Sequence, residues 1–154
     1  MNRNGRWSMV NGYQQRVMDY RLWAFFLFVS LISCSTKNTK YQQYFAQGEV
    51  LYEKNCSNCH QKNGKGLGLV YPPLAPSDYF EKNFNTSLCF MKYGAKGEII
   101  VNGKNFNKPM PGVPSLTELE IAEIATYINN SWGKKNGIVE ISLVTSALND
   151  CGLK

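Results

Sequence analysis

The segment Cys56-Ser57-Asn58-Cys59-His60 is the feature that most constrains this 154-residue chain, because it contains the chain's single histidine. Its two thiols are three residues apart, and the imidazole follows the second thiol directly. Residues three and four apart share one face of a helical turn, so the three reactive side chains project together. A single histidine also excludes metal sites that need several imidazoles.

The C-x-x-C-H spacing is typical of the attachment site of a c-type haem. Cys56 and Cys59 could each add to a haem vinyl group, and His60 would present a ring nitrogen to iron. Two alternatives are weaker. A zinc site of the Cys₂His₂ type lacks its second histidine, and Cys89 or Cys151 could help only from a distance. A thioredoxin-like dithiol would follow a β-strand, and no strand pattern precedes Cys56.

A sixth iron ligand must come from a residue other than histidine, and the thioether of methionine suits this role. The chain beyond the leader has two methionines. Met91 lies in a short helix-like stretch that ends at Gly94, where core packing is expected. Met110 lies between Pro109 and Pro111, in what we expect to be an irregular loop that the prolines stiffen. We predict Met110 as the ligand, with Met91 or no methionine as the alternatives.

The N-terminal part of the chain has the pattern of an export signal. Arg21 precedes an apolar run of about a dozen residues, which is shorter than the roughly 20 residues that span a bilayer. The run ends in Leu31-Ile32-Ser33-Cys34, which resembles the lipobox of bacterial lipoproteins. We predict a signal peptide of the lipoprotein type at 1–33, with Met18 as a second candidate start. An ordinary signal peptide with an incidental cysteine is the alternative.

Lipidation of Cys34 would anchor the chain to a membrane, because each buried methylene contributes about 0.8 kcal/mol. The expected location is the cell envelope, facing the periplasm. Residues 34–41 are then predicted to form a polar tether.

The net charge of +6 does not indicate a nucleic-acid-binding protein. All four arginines lie in the leader, and from Cys34 onward thirteen lysines oppose ten acidic residues, which leaves +3. A basic excess divided between a leader and a body forms no concentrated patch.

Several segments in a fixed order resemble the class I cytochromes c of bacteria, from about Tyr41 to Gly133. The resemblance implies a small all-α fold around one covalently attached haem c, in which the first and last helices cross. It also implies a close approach of Gly48 to Tyr127. The segments are Gly48, the C-x-x-C-H motif, Gly64-Lys65-Gly66-Leu67-Gly68, Tyr71-Pro72-Pro73-Leu74-Ala75, Asn102-Gly103, Met110-Pro111 and Tyr127 to Gly133.

The resemblance further implies individual roles. His60 and Met110 would be the proximal and distal ligands of the iron. The carbonyl of Pro72 would accept a hydrogen bond from His60 and so orient its ring, although Pro73 is an open alternative. Leu74 and Tyr79 would line the haem pocket.

The domain boundaries follow from these features. The cytochrome domain is expected at 42–133, with its first helix from about Gln42 to Asn55 and its last from Leu116 to Trp132. Ser115 and Glu118 have the spacing of a capping box for this last helix.

A C-terminal extension at 134–154, with a short helix from Val139 to Leu148, is expected to pack on the domain. Assigning Cys34 to lipid and two cysteines to haem leaves Cys89 and Cys151. In an oxidising compartment these two are predicted to form a disulfide that holds the extension, with two free thiols as the alternative.

The predicted function is one-electron transfer between Fe(III) and Fe(II), with no substrate turnover by the chain itself. The donor and acceptor would be redox proteins such as a respiratory complex, an oxidase or a reductase. Four lysines near the ligating loops could steer an acidic partner, or could serve solubility alone: Lys62, Lys65, Lys104 and Lys108. A haem-based sensor with a labile methionine and a fixed haem subunit of a membrane complex are the rival functions.

Overall fold

A computed structural model describes residues 36–152. The predicted signal peptide at 1–33 and the predicted lipidation site Cys34 lie outside the described residues. None of the helices within 36–152 is long and apolar enough to cross a membrane.

The described chain is helical, with two short antiparallel strand pairs. The strands are β1 (Gly94–Ala95), β2 (Ile99–Val101), β3 (Lys104–Phe106) and β4 (Met110–Pro111), with β1 paired to β4 and β2 to β3. The helical content confirms the predicted all-α class. The helices are α1 (Thr36–Asn55), α2 (Ser57–His60), α3 (Asp78–Lys82), α4 (Phe84–Tyr93), α5 (Glu118–Asn130) and α6 (Ile141–Asn149).

Helix α1 begins at Thr36, six residues before the predicted start at Gln42, so most of the predicted tether at 34–41 is helical. The polar composition of this segment suggested a tether. A tertiary contact accompanies its helical structure. The Lys40 ammonium lies 2.8 Å from the Glu140 carboxylate, which joins this first part of the helix to the C-terminal extension.

Helices α1 and α5 meet at Gly48, as predicted. A Cβ atom on Gly48 would overlap the backbone carbonyl of Glu123 and would lie 2.9 Å from Cβ of Tyr127. The absent side chain therefore lets the two helix backbones touch. Aromatic rings pack around this crossing with centroid separations of 5.2–5.8 Å; they belong to Phe45, Tyr52, Tyr127 and Trp132.

The capping box of α5 is formed by Thr117 and Glu120, so the predicted pair of Ser115 and Glu118 is wrong. The Thr117 hydroxyl accepts a hydrogen bond from the Glu120 backbone at 3.2 Å, and the Glu120 carboxylate accepts one from the Thr117 backbone at 2.8 Å. Both pairs match the sequence pattern. A start at Thr117 places Leu116 immediately before the cap, where it is buried in the core.

The C-terminal extension folds back onto α5. The Asn130 side chain bonds both backbone groups of Gly137, at 2.7 and 2.9 Å. The Thr126 hydroxyl accepts a hydrogen bond from the backbone of Val139 at 2.9 Å. These bonds place the following helix α6 against α4 and α5.

A disulfide joins Cys89 of α4 to Cys151 just beyond α6, with 5.7 Å between their Cα atoms. Val144 and Ala147 of α6 are buried in the same core as α4 and α5. The extension is thus attached to the domain by a covalent bond, by apolar packing and by backbone hydrogen bonds.

The hairpin of β2 and β3 is attached to the start of α3 by a reciprocal pair of hydrogen bonds. The Asp78 carboxylate accepts from the backbone N–H of Asn102 at 2.6 Å, and the Asn102 side chain accepts from the backbone of Asp78 at 3.0 Å. Asn102 and Gly103 both have positive φ, 52° and 72°, as a two-residue hairpin turn requires. The hydrogen bond from Asn102 is the main reason that the pKa of Asp78 is lowered.

We expect Asp78→Asn to destabilise the protein at neutral pH but not in acid. A carboxyl group whose pKa is lower when folded contributes stability above its unfolded pKa of about 3.9, and this stability is lost as pH falls through the folded pKa. Denaturant unfolding at a series of pH values measures the difference between parent and variant. Glu81→Gln is a control on the same helix, and an Asp78→Asn difference that is independent of pH would contradict this account.

Candidate functional site

The C-x-x-C-H motif lies at the junction of α1 and α2. The backbone carbonyl of Cys56 accepts hydrogen bonds from the backbone of Cys59 at 3.1 Å and of His60 at 3.0 Å. This single turn places both thiols and the imidazole on one side of the chain. Both cysteines are half-buried, whereas His60 is only 7% exposed.

The imidazole of His60 is oriented by the backbone carbonyl of Pro72, which lies 2.9 Å from Nδ1. Since a carbonyl can only accept, Nδ1 carries the hydrogen and Nε2 keeps its lone pair for a metal. Burial lowers the pKa of His60, which favours the neutral ring, the form that can bind a metal. Of the two prolines considered from the sequence, Pro72 supplies the carbonyl.

The glycine-rich loop brings Pro72 to this position. The carbonyl of His60 accepts a hydrogen bond from the Gly66 backbone at 2.9 Å, and the carbonyl of Tyr71 accepts one from Leu67 at 3.0 Å. A Cβ atom on Gly66, whose φ is 67°, would overlap the Tyr71 carbonyl. Only glycine therefore allows the loop to lie flat against the segment that supplies the Pro72 carbonyl.

Two neighbouring cavities form an apolar slot above His60. One has Cys56 in its wall, and the other has Cys59 in its wall. Five residues line both cavities, so Cys56 and Cys59 border one continuous space. The shared residues are His60, Pro72, Phe90, Ile99 and Met110.

Met110 reaches the slot from strand β4, not from the irregular loop expected from the sequence. Its partner in β1 is Ala95, and Pro111 pairs with Gly94. Gly94, with φ of 81°, has no room for a Cβ atom because the Met110 carbonyl lies against it. Backbone pairing as well as the flanking prolines therefore fixes the position of Met110.

Met91 is 7% exposed and belongs to the hydrophobic core, as predicted. It also lines the first cavity together with Met110. Its backbone carbonyl accepts a hydrogen bond from Val113 at 2.9 Å, so it helps to hold the segment that follows Met110.

Leu74 and Tyr79 lie in the wall of the first cavity. Burial raises the pKa of the Tyr79 hydroxyl, so this wall stays uncharged at neutral pH. The sequence interpretation missed several further apolar residues of the walls, among them Phe90 of α4 and Ile99, Val101 and Phe106 of the hairpin. The run of β-branched residues before the Asn102-Gly103 turn was a signal that could have identified the hairpin.

The chemistry of the two thiols fits haem attachment better than the alternatives. Burial raises the pKa of the Cys56 thiol to about 12, whereas redox-active dithiols have a lowered thiol pKa. Within residues 36–152, no group of three or more histidine, cysteine or acidic side chains is placed to hold a metal ion. Two thiols and an oriented imidazole beside an apolar slot are the groups that a covalently attached porphyrin needs.

Comparisons with known proteins agree with this geometry. The cytochrome c family model matches residues 45–132. A cytochrome c-552 of Thermus thermophilus is 33% identical over 92 residues, which cover 57% of this chain and 70% of that protein. The cytochrome c subunit of a quinone alcohol dehydrogenase from Gluconacetobacter polyoxogenes is 34% identical over 109 residues, or 68% of this chain and 23% of the subunit. A second such subunit, from Gluconobacter oxydans (strain 621H), is 30% identical over 89 residues and is covered to 18% of its length.

The family match spans more than half of the chain and contains the cysteine pair, the histidine and Met110. The site therefore serves electron transfer, either as a separate carrier or as a haem subunit. The chain belongs to the cytochrome c family, as a class I c-type cytochrome with covalently attached haem c.

Proposed function

We propose that this protein is a one-electron carrier whose haem iron is bound by His60 and Met110 and which is held at the periplasmic face of a membrane through Cys34. One observation carries the ligand assignment: His60 and Met110 line both halves of the slot onto which Cys56 and Cys59 open. The bound haem supplies the Fe(III)/Fe(II) couple.

The residues of the chain keep the coordination the same in both oxidation states. Pro72 holds the hydrogen on Nδ1 of His60 and so fixes the ring with Nε2 towards the slot. The pairing of β1 with β4 holds the Met110 backbone in place. With His60 and Met110 both bound to the iron, the chain would leave no position for a substrate, and an electron would enter or leave with little movement of the protein.

Exposed lysines near the ligand-bearing loops would guide an acidic redox partner. Lys65, Lys104 and Lys108 are exposed, and Lys108 lines the second cavity. Lys62 lies 2.8 Å from the Glu53 carboxylate, which offsets its charge, so it contributes less to attraction. Complementary charge of this kind mainly raises the rate of encounter.

The relatives suggest what the partner could be. Two of them are named as cytochrome c subunits of quinone alcohol dehydrogenases, and this chain spans less than a quarter of either. A fixed haem subunit of a membrane dehydrogenase, oxidase or reductase is therefore the second candidate function. Stable co-purification with such a complex from membranes would favour the subunit over the separate carrier.

We expect Met110→Ala to open the sixth coordination position. Without a protein ligand there, the ferrous protein should bind carbon monoxide at least about tenfold more tightly than the parent, since the competing internal ligand is gone. Optical titration of both oxidation states with carbon monoxide measures this. Met91→Leu, a volume-conserving change in the same cavity, should behave like the parent.

Equal carbon monoxide affinity in the parent and Met110→Ala would contradict ligation by Met110. It would favour the rival function of a small-ligand sensor.

Reversal of the charges at Lys65 and Lys108 is expected to slow electron transfer to the anionic oxidant ferricyanide by about tenfold at low ionic strength. The difference from the parent should shrink as salt screens the charges, because the Debye length falls from about 30 Å at 0.01 M to 3 Å at 1 M. Stopped-flow absorbance measures the rate. Lys54→Glu with Lys135→Glu, a reversal of two exposed lysines that line neither cavity, is the matched control. Equal slowing by the control would mean that only net charge matters.

We expect Cys34→Ala to move the protein from the membrane fraction to the soluble periplasmic fraction, because loss of the acyl chains removes most of its membrane affinity. Fractionation followed by detection of haem-containing protein measures the change. Ser35→Ala should leave the protein in the membrane. A Cys34→Ala protein that stays in the membrane fraction after its signal peptide has been removed would show that Cys34 is not its anchor.

A further inference from the structure

We infer that the disulfide between Cys89 and Cys151 is a positioning element for Met110: it holds the outer face of helix α4, whose inner face and C-terminal end support the methionine. The inference rests on the proposed axial role of Met110. It assigns to the C-terminal extension a function in haem ligation beyond covering the domain.

Helix α4 is a wall between the haem slot and the extension. On its inner face, Ser87, Phe90 and Met91 line the first cavity. On its outer face, Cys89 is bonded to Cys151 and its sulfur lies 3.6 Å from the Ala147 carbonyl oxygen of α6. The extension would therefore resist a displacement of α4 towards solvent. Such a displacement would also move the residues of α4 that line the slot.

The C-terminal end of α4 holds the segment that carries Met110 by main-chain contacts. Gly94, directly after the helix, pairs with Pro111. A Cβ atom on Gly112 would overlap the backbone at Tyr93 and Gly94, so the two segments touch without intervening side chains.

Side-chain and backbone hydrogen bonds continue this attachment beyond Met110. The Met91 carbonyl accepts from the Val113 backbone at 2.9 Å. The Lys92 ammonium donates to the carbonyls of Leu116 at 2.6 Å and Pro114 at 3.3 Å. The segment from Met110 to Leu116 therefore moves with α4.

The disulfide is close to this junction and open to solvent on its outer side. Cys89 precedes Gly94 by five residues, which is about 7.5 Å along a helix. Both cysteines line an open groove on the outer side of the domain, together with Tyr93 and Asp150. A bond at this place restrains the helix that bears the Met110 segment, whereas the Lys40–Glu140 ion pair holds only the start of the extension.

Local opening of β4 from β1 would let the Met110 sulfur leave the iron. Local openings of this kind occur without global unfolding, and their free energy depends on nearby restraints. An external ligand binds only the open fraction, so its apparent affinity rises in proportion to that fraction. Loss of the disulfide should therefore make the iron accessible in a protein that is otherwise folded.

The test compares carbon monoxide binding to the ferrous, haem-loaded full-length protein with and without the disulfide. The variant is Cys89→Ser with Cys151→Ser. In a second preparation, the folded parent is treated with a phosphine, which supplies two electrons, while water supplies the protons of the two thiols and the oxygen of the phosphine oxide. We expect both forms to bind carbon monoxide at least about tenfold faster than the parent, with unchanged helical circular dichroism.

The matched control is Leu51→Ala, which destabilises the protein through a buried residue of α1 that lines neither cavity. This control should bind carbon monoxide as slowly as the parent. If it binds as fast as the disulfide-free forms, general destabilisation explains the effect and the inference is overturned.

Two further outcomes separate this inference from the proposed function. If the parent is slow and the disulfide-free forms are equally slow, Met110 remains the ligand and the positioning role of the disulfide is wrong. If the parent itself binds carbon monoxide readily, the axial role of Met110 fails, and the inference fails with it.

Discussion

The hydrogen bond between His60 and the Pro72 carbonyl is the interaction on which the proposed electron carrier depends. It fixes the tautomer and the orientation of the single imidazole, so Nε2 is available to the iron. The bond exists because the glycine-rich loop folds tightly enough to bring Pro72 over the C-x-x-C-H turn, which Gly66 permits. The crossing of α1 and α5 at Gly48 then holds this turn against the core.

The wall of the slot that contains Met110 depends on the chain's second half. Met110 is carried by a two-residue strand that is bonded to the end of α4, and α4 is held from outside by the C-terminal extension. The two proposed ligands are thus held in different ways: His60 by a local turn and one carbonyl, Met110 by a sequence of tertiary contacts. Support of Met110 by several tertiary contacts suits this ligand pair, because its thioether is the weaker ligand of the two.

Much of this arrangement was predictable because its causes are local. Cys56 to His60 and the hairpin turn at Asn102 depend on side-chain spacing or on backbone freedom at one position, whereas the close approach of Gly48 to Tyr127 was expected from the family resemblance. The early start of α1 was not predictable, because a contact 100 residues away between Lys40 and Glu140 accompanies it. The strand at Met110 depends on its pairing with β1, and the choice of Thr117 as the cap of α5 depends on the burial of Leu116. The periodicity of the sequence shows neither of these tertiary contacts.

X-ray absorption at the iron edge of the purified, haem-loaded protein tests the proposed His60–Met110 ligation most directly. The account predicts five nitrogen neighbours, four from the porphyrin and one from His60, and one sulfur neighbour from Met110 in both the ferrous and the ferric states. A first coordination shell without sulfur in the native protein, in either oxidation state, would contradict it.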